Sequence, residues 1–506
     1  MKFITYDLGT GGVKAALYDE AMQTLAKSFI EYPTSYPAPG WHEQKPSDWW
    51  NGVVESTRVL LQKVSVDASE IGCLALSGHS CVAVPLDASL EPLTDTVPIW
   101  SDTRAGEQIR AFFRNVDEKD WYMKTGNGFP AACYALFKLM WLKETSPELF
   151  AKIRCVVGSK DYINLRLTGR AATDPSYASS SGAYDLVRHE MCAELLSAAG
   201  IPASIWPEIL PSHAIVGTIT EKAAAEIGLK AGTAVACGGV DNACMAMGAV
   251  GAQEGAFYTS LGSSSWIPMN SRTPVLDFET KPYVFAHIED GMYTSAYSIF
   301  AGGSSYHWVR DTLCKDLQGD DAYRKMDELA ASSPIGANGV FFNPSLAGGT
   351  SQDKSLNVQG ACLNLQVGTT REDLIRAALE GITLNLKTSY DLLARYAEPS
   401  DHLLICGGGS KSRFWMQLFV DIFGTTTIKT NIDQDAASMG AAAICARATG
   451  LWSNYDKLPS LHHPEVVCKT DPETHAAYAR LYPIFRHVYD AVADLGDYLS
   501  DTSLYK

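Results

Sequence analysis

The hydrophobic and polar positions at the start of the chain predict the first part of an α/β domain. Short apolar runs flank a glycine-containing turn at 7–12, which is typical of two strands joined by a tight turn. A helix follows, because apolar residues recur with helical spacing from 50 to 64 and Ser47 can cap its start. The mostly apolar strands predict a sheet that is covered on both faces. The predicted strands cover 3–6, 13–18, 26–32 and 71–76.

About halfway along the chain this pattern starts again. A strand, a glycine turn and a strand recur at 255–269, where Leu261-Gly262-Ser263 resembles Leu8-Gly9-Thr10. The repeat indicates an internal duplication, with the two turns facing each other across a cleft. Glycine hairpins are common, so a chance likeness between two hairpins is an equally good explanation at this point.

The rest of the second half predicts further helices and one apolar strand. A long amphipathic helix is expected at 371–396, and a strand at 402–406 runs directly into three glycines. Further helices are predicted at 413–423, 436–448 and 474–498.

Length and charge narrow the classes of protein. A chain of 506 residues, with 46% apolar and 19% charged residues, fits two globular domains that enclose a cleft. The formal net charge of -16 argues against nucleic acid or an anionic membrane as a partner. An anionic ligand such as ATP therefore needs local backbone donors and a metal ion.

The apolar runs and cysteines indicate the compartment. The N-terminus lacks a signal-peptide core, and no run of about eighteen apolar residues occurs, so we expect a cytoplasmic protein without a membrane segment. The 12 cysteines include no CxxC pair and are typical of reduced, mostly buried thiols. His462 and His463 are adjacent but lack zinc-ligand spacing, and we expect them at the surface.

The first glycine turn carries candidate phosphate chemistry. Asp7 ends a predicted strand, glycines follow at 9–12, and Lys14 lies on the next strand. Such a turn can hold phosphate oxygens, with Asp7 binding hydrated magnesium and Lys14 adding a compensating charge. An ordinary Asp-Gly hairpin has the same sequence features, so the turn alone does not distinguish a phosphate site from a simple hairpin.

A second carboxylate follows the apolar strand at 234–237. Gly238-Gly239 lead into Asp241 and Asn242, at the end of a buried strand where α/β proteins usually place their chemistry. Asp241 is a candidate general base that takes a proton from an attacking hydroxyl, while Asn242 holds a neighbouring hydroxyl. Asp after two glycines is equally suited to cap a helix, and in isolation the cap is favoured.

A third glycine segment opens a predicted helix. Gly407-Gly408-Gly409 present backbone N–H groups at a helix N-terminus, which is suited to an anion or a nucleotide. Gly407, Gly409 and Ser412, with Asp433 about twenty residues further on, nearly match a dinucleotide fingerprint. The last glycine of that fingerprint is missing and no βαβ series follows, so this alternative ranks low.

An ordered series of motifs covers nearly the whole chain. The motifs are Asp7-x-Gly9-Thr10, Gly40-Trp41-x-Glu43-Gln44, Trp100-x-Asp102-x-Arg104, Lys160-Asp161-Tyr162, Gly239-x-Asp241-Asn242, Ser260-Leu261-Gly262-Ser263-Ser264, Ala301-Gly302-Gly303, Arg376-Ala377-x-x-Glu380-Gly381, Gly407-Gly408-Gly409-Ser410 and Gly440-Ala441-Ala442. In this order they resemble the FGGY family of carbohydrate kinases.

The resemblance implies a fold, a reaction and a set of ligands. The expected fold is α/β, with two duplicated ribonuclease-H-like (actin-like ATPase) domains at 1–248 and 249–506 and a deep cleft between them. The first domain would bind the sugar and carry the base, and the second would bind the nucleotide. The implied ligands are ATP, Mg²⁺ and a small sugar or polyol, and a homodimer is the expected assembly.

The resemblance also implies roles for individual residues. Asp241 would be the catalytic base and Asp7 would serve the metal. The residues expected near ATP are Thr10, Gly11, Lys14, Gly262, Ser263, Gly303, Gly408, Gly409 and Ser412. Those expected near the sugar are His79, Ser80, Trp100, Asp102, Asn242 and Trp266. Core packing explains the two tryptophans equally well, and Asp102 with Arg104 is also consistent with a structural ion pair.

The motifs nearest the substrate differ from the corresponding motifs of the family's xylulokinases and glycerol kinases. The chain most resembles xylulokinases, but these usually carry Met-His-Gly at Ser80-Cys81-Val82, and glycerol kinases carry Arg-Glu at Ser80-Cys81. Pro344-Ser345-Leu346-Ala347-Gly348-Gly349 also lacks the Glu-Arg that often follows this motif. A ketopentose such as xylulose is the expected substrate, with glycerol, gluconate, fuculose and ribulose as alternatives.

Two rival functions remain at this stage. A sugar sensor of the same fold would bind both ligands without making ADP, although retention of Asp7, Gly9, Thr10 and Asp241 argues against it. A chaperone-type ATPase would need a peptide-binding domain, and the sequence has no obvious one.

Overall fold

A computed structural model describes residues 1–319 and 321–500. Its strands are β1 (Lys2–Gly9), β2 (Gly12–Tyr18), β3 (Thr24–Glu31), β4 (Glu43–Gln44), β5 (Ile71–Gly78), β6 (Val84–Leu86), β7 (Val97–Pro98), β8 (Cys155–Val157), β9 (Ala172–Thr173), β10 (Tyr184–Asp185), β11 (Glu190–Met191), β12 (Glu208–Ile209), β13 (Ile215–Thr218), β14 (Ala234–Ala236), β15 (Gly239–Val240), β16 (Tyr258–Leu261), β17 (Ser265–Ser271), β18 (Tyr283–Ala286), β19 (Tyr293–Ile299), β20 (Phe341–Asn343), β21 (Ala361–Leu363), β22 (His402–Cys406), β23 (Thr426–Thr430) and β24 (Pro464–Cys468).

The helices complete the element order. They are α1 (Pro46–Lys63), α2 (Gly106–Phe112), α3 (Glu118–Thr125), α4 (Ala135–Thr145), α5 (Pro147–Phe150), α6 (Ser159–Thr168), α7 (Pro175–Ser179), α8 (Ala193–Ala199), α9 (Glu221–Ile227), α10 (Asp241–Val250), α11 (Gly302–Leu313), α12 (Ala322–Ser332), α13 (Arg371–Leu393), α14 (Arg413–Phe423), α15 (Ala436–Ala448) and α16 (Pro472–Leu499). Within the described residues, none of these helices is both long and apolar enough to cross a membrane.

Two large sheets repeat one topology. The first has the order β13-β14-β5-β1-β2-β3, and the second has the order β24-β23-β22-β16-β17-β19-β18. In each sheet an antiparallel meander is followed by two parallel strands and an antiparallel edge strand. β1 therefore corresponds to β16 and β5 to β22, which confirms the duplication indicated by the two glycine turns.

Two helices cross between the sheets at very short range. A Cβ added at Gly248 of α10 would lie 1.7 Å from the Ala436 carbonyl oxygen, and one at Gly440 of α15 would lie 2.0 Å from that of Cys244. Only glycine permits such a close approach of two backbones. α15 also packs on β1 and β5, and α10 contacts strands of both sheets. The start of α10 is thus held between the two halves of the molecule.

The second sheet also reaches the insertions of the first half. The Val284 N–H of β18 donates to the Gly126 carbonyl at 2.7 Å, and the Tyr122 hydroxyl donates to the Pro282 carbonyl at 2.8 Å. Phe129 stacks on Tyr283 with ring centroids 4.0 Å apart. These contacts form a second connection between the halves, in addition to the crossing of α10 and α15.

Most local predictions agree with these elements. The helix predicted at 371–396 ends at Leu393, and β22, α14 and the parallel strand β23 form a βαβ unit that the sequence did not predict. The strand at 402–406 and the helices at 413–423 and 436–448 have the predicted bounds. The cap predicted at Ser47 is wrong, because α1 begins at Pro46, a residue whose fixed φ suits the first turn of a helix. His462 is half-buried rather than at the surface, with Nε2 3.0 Å from the Gly248 carbonyl oxygen, whereas His463 is exposed.

The cysteines agree with the expectation of buried thiols. All 12 are free, and all except Cys362 are buried.

Candidate active site

Three neighbouring strands deliver polar side chains to one edge of the first sheet. Asp7 lies near the end of β1, opposite Ser77 of β5, and Ser77 lies opposite Gly239 of β15. All three strands run in parallel, so their carboxyl ends meet at this edge. Asp7 and Asp241, which follows β15 directly, are therefore brought close together.

Asp241 is a carboxylate with an unusual environment. It is the first residue of α10, and the capping position is Val240, so the Asp241 side chain is not the helix cap that its sequence context favours. Its Oδ1 accepts a hydrogen bond from the Asn242 N–H at 2.8 Å. Burial and then the negative charge of Asp7 raise the pKa of Asp241 to about 7. The group can therefore accept a proton near neutral pH.

Asp7 is half-buried and has compensating partners. Ser77 Oγ donates to Asp7 Oδ1 at 2.8 Å, and Lys14 lies opposite Asp7 on β2. Burial raises the pKa of Asp7, while the charge of Lys14 and the hydrogen bond from Ser77 oppose the rise. The described residues contain no cluster of three or more His, Cys, Asp and Glu side chains suited to a metal ion. A single carboxylate fits a hydrated Mg²⁺ that arrives with a nucleotide.

The first glycine turn is held firmly at Thr10. The Trp100 indole N–H donates to Thr10 Oγ1 at 3.1 Å, and the Gln44 side-chain amide donates to the Thr10 carbonyl at 2.7 Å. Gly11 is exposed, and a Cβ placed there would meet no described atom within 4 Å. The turn is therefore ordered from one side and open on the other. Trp100, predicted near the sugar, contacts this turn.

The second glycine turn packs against the start of α11. The Gly303 N–H donates to the Gly262 carbonyl at 2.9 Å, and the Ser304 N–H donates to the Ser263 carbonyl at 3.0 Å. A Cβ at Gly303 would lie 2.3 Å from the Gly262 oxygen, so no side chain fits there. Gly262, Ser263 and Gly303 thus form one continuous surface of backbone.

The third glycine segment lies beside the second turn. Ser260 of β16 pairs with Cys406 of β22, and a Cβ at Gly409 would lie 2.7 Å from the Leu261 Cβ. Asp433 organises the segment, because its carboxylate accepts hydrogen bonds from the Gly407 N–H at 2.7 Å and the Ser410 hydroxyl at 3.0 Å. If the segment bound a dinucleotide, Asp433 would contact the ribose of that ligand rather than the glycine segment.

Not every predicted ATP residue is free to bind a ligand. Ser412 Oγ accepts a hydrogen bond from the Trp415 N–H at 2.9 Å and so caps α14. By contrast, a Cβ at Gly408 would have no neighbour closer than 3.9 Å, which leaves this side of the segment open.

A small cavity lies next to Asp241, whose chain neighbours Val240 and Asn242 both line it. Of the residues predicted at the sugar, Ser80 and Asn242 line it. Most of the other lining residues were not predicted, because they lie in segments that are distant in sequence from Ser80 and Asn242. The cavity is lined by Ser80, Cys81, Asn127, Phe129, Tyr134, Ser179, Ser180, Val240, Asn242, Tyr283, Val284 and Phe285.

The other residues predicted at the sugar do not line this cavity. His79 is buried with its ring edge-to-face against Trp49, and burial lowers its pKa to about 4. Trp266 packs between Tyr258 and Tyr283, behind the cavity wall.

Asp102 is buried in an ion pair. Both of its oxygens accept from Arg104 at 2.7 to 3.0 Å, and Oδ2 also accepts from the His42 N–H at 2.7 Å. This is the structural alternative that the sequence left open.

Glycine turns at the same position of two matching sheets, with a poised carboxylate at the start of a helix between them, define a two-lobed phosphotransferase. Two family models match the chain. The model for the FGGY family of carbohydrate kinases, N-terminal domain, matches residues 3–248, and that for the C-terminal domain matches residues 257–449. The chain therefore belongs to the FGGY family of carbohydrate kinases, and it is a sugar phosphotransferase that uses ATP.

Individual relatives agree with this family. The chain is 30% identical over 499 residues to the xylulose kinase of Bacillus subtilis, covering 98% of both chains. It is 26% identical over 519 residues to the autoinducer-2 kinase of Salmonella typhimurium, covering 99% of this chain and 96% of that relative. The solved structure of the xylulose kinase from Rhodospirillum rubrum is similar with a TM-score of 0.90 and 27% identity, over 98% of this chain and 100% of that one. These similarities confirm the duplicated actin-like fold expected from the sequence.

Proposed function

We propose that this chain transfers the γ-phosphoryl group of ATP to a hydroxyl of a small neutral sugar, with Asp241 as the general base. The observation that carries the proposal is the environment of Asp241. Its pKa is raised to about 7, and its neighbours Val240 and Asn242 both line the cavity. A base poised near neutral pH at the wall of a cavity is suited to take the proton of an attacking hydroxyl.

The other roles follow from the same arrangement. Asn242 orients a hydroxyl next to the one that reacts, and the backbone of Gly262, Ser263 and Gly303 approaches the phosphates. Asp7 would hold hydrated Mg²⁺, which neutralises charge on the phosphate oxygens when it is bound. Contact between the two halves excludes water from the cavity and favours transfer to the sugar over hydrolysis.

The lining of the cavity favours a neutral substrate. None of the described residues that line it carries a carboxylate, an amine or a guanidinium group. A sugar acid such as gluconate would find no positive partner there and would approach the charges of Asp7 and Asp241. A ketopentose such as xylulose fits, and two of the relatives above are named as xylulose kinases. Ribulose, fuculose and glycerol are also neutral and remain to be distinguished by experiment.

We also propose the wider organisation of the protein. Residues 1–248 and 249–506 would form the sugar-binding and nucleotide-binding lobes, and this boundary falls within α10, the helix that lies between the sheets. The protein would act in the cytoplasm as a homodimer.

The experiment that tests the proposal is ADP release by the purified protein with MgATP. The panel contains xylulose, ribulose, fuculose, glycerol and gluconate, with a reaction lacking sugar as the control. Strong stimulation by one neutral compound, and none by gluconate, is the expected result. Binding of sugar and nucleotide without ADP release would favour the sensor, and ADP release that no sugar stimulates would favour an ATPase.

A further inference from the structure

Asn127 is a cavity residue with an unusual hydrogen-bond pattern. Its side chain is buried, with an exposed fraction of 3%. The side-chain nitrogen donates to the Ser179 carbonyl at 2.8 Å and to the Thr125 carbonyl at 3.3 Å. Only the nitrogen of an amide side chain can donate, so these two carbonyls fix its orientation. The oxygen is thereby left on the other side of the group.

That oxygen has no hydrogen-bond partner among the residues that the structure describes. Buried polar atoms are nearly always paired, and an unpaired one in a cavity wall needs an explanation. Asn127 lines the cavity, so a bound molecule can supply the missing donor.

Other polar side chains of the cavity are already occupied by protein groups. The Ser179 hydroxyl donates to the Ser176 carbonyl at 2.8 Å and accepts from the Ala286 N–H at 3.1 Å. The Ser180 hydroxyl donates to the Tyr177 carbonyl at 2.8 Å and accepts from the Cys81 N–H at 3.2 Å. The Tyr134 hydroxyl accepts from the Phe129 N–H at 3.0 Å. Among the described residues that line the cavity, the Asn127 oxygen is therefore the buried side-chain atom left without a partner.

We propose that the Asn127 side-chain oxygen accepts a hydrogen bond from a sugar hydroxyl other than the one that is phosphorylated, and that this bond selects the substrate. The inference rests on the proposed function. The reacting hydroxyl gives its proton to Asp241, so Asn127 takes a second hydroxyl. Both donors of Asn127 are used, so the group offers only an acceptor, which a hydroxyl satisfies and a carboxylate, a ketone or a methyl group does not.

The walls around Asn127 make this selection strict. Phe129 stacks on Tyr283 beside it, and the neighbouring Gly126 carbonyl accepts from the Val284 N–H of the second half. A deoxy analogue lacks the hydroxyl that would donate to the Asn127 oxygen, and the Phe129 ring offers no donor in its place. A site built around a hydrogen bond discriminates far more strongly than a site that recognises shape alone.

A purely structural role for Asn127 is the competing explanation, because its nitrogen joins the end of α3 at Thr125 to the end of α7 at Ser179. These two explanations are separated by a cycle of measurements in which the protein variant and the substrate are each changed. We would measure kcat/KM of the wild type for its best sugar and for each monodeoxy analogue that keeps the reacting hydroxyl. The same substrates would then be tested with Asn127→Leu and with the exposed control Asn115→Leu.

The expected result is specific to one hydroxyl. The wild type should discriminate against one monodeoxy analogue by at least about tenfold, the effect of losing a hydrogen bond to a buried partner. Asn127→Leu should lower kcat/KM for the complete sugar by a similar factor and leave that analogue nearly unchanged, with the KM for MgATP unaltered. Asn115→Leu should behave as the wild type does.

Two results would overturn the inference. An equal loss for the complete sugar and every analogue with Asn127→Leu would leave Asn127 with a structural role alone. If the wild type turned over the complete sugar and all analogues at equal rates, Asn127 would likewise have a structural role alone. This result needs only the wild type, so it holds even if the variant does not fold. A wild type that turns over no sugar overturns the proposed function itself, which is a separate and earlier outcome of the experiment.

Discussion

Two carboxylates at the same sheet edge have different partners, which suits them to different roles. Asp7 has Lys14 across the strand pair and a hydrogen bond from Ser77, and both favour its charged form. Among the described residues, no cation offsets the rise in the pKa of Asp241, and the charge of Asp7 acts against its ionisation. Burial raises the pKa of both groups, and at Asp7 a cation opposes the rise, which fits a charged anchor beside a proton acceptor.

The first prediction at this scale concerns pH. Asp241 must be deprotonated to act as a base, so kcat/KM should rise about tenfold per pH unit below the pKa of about 7 and level off above it. Initial rates from pH 5.5 to 9 at constant ionic strength would measure this. A rate that is constant from pH 5.5 to 8 would contradict the assignment.

The same shift has a consequence for stability. Asp241 binds its proton more tightly in the folded protein than in the unfolded chain, whose Asp pKa is about 3.9. The stability that this proton contributes is complete below the unfolded value and is lost as the pH rises through about 7. The charged base is therefore a destabilising feature at the pH where it works.

At the scale of elements, one buried lysine on α4 connects the segments around the cavity. Lys138 Nζ donates to the carbonyls of Cys81 at 2.9 Å, Ile99 at 2.7 Å and Cys133 at 2.7 Å. Cys81 lines the cavity, Ile99 precedes Trp100, and Cys133 precedes α4. Burial lowers the pKa of Lys138, while the negative charge of Asp102 opposes this. One ammonium group thus orders the cavity and the approach to the first glycine turn.

We predict that Lys138→Met destabilises the protein. Methionine fills a similar volume but leaves three buried carbonyls without their donor, and the free energy of unfolding should fall by roughly 3 kcal/mol or more. Urea unfolding followed by circular dichroism would measure the change. Lys143→Met is the matched control, because Lys143 lies on the same helix and is exposed, and it should cost less than about 1 kcal/mol. Equal effects of the two variants would refute the role of Lys138.

The sequence predicts the elements better than it predicts the site. The strand at 402–406 and the helix at 413–423 follow from apolar spacing and from Ser412 and Gly424, which lie within or beside the segment itself. Asn127 and Tyr283 carry no such local signal. They line one cavity only because β18 packs on the loop after α3, and the spacing of residues along either segment does not report that contact.

At the scale of the whole molecule, both ends of the proposed reaction depend on contact between the two halves. The cavity includes Tyr283, Val284 and Phe285 from the second sheet and Ser80 from the loop after β5. Asp241 begins α10, which crosses α15 at glycines where the backbones touch. Asp241, the proposed base, is therefore fixed where the sheets meet, and two of the three glycine segments proposed for the nucleotide lie on the second sheet. Transfer requires all of these groups in one arrangement.

The most direct test of this account replaces the proposed base. Asp241→Ala should lower kcat for sugar-dependent ADP release by about a hundredfold or more, the usual contribution of a positioned base, while calorimetry still detects binding of sugar and nucleotide. The exposed control Asp95→Ala should keep the wild-type kcat. Near-normal turnover by a folded Asp241→Ala protein would contradict the account.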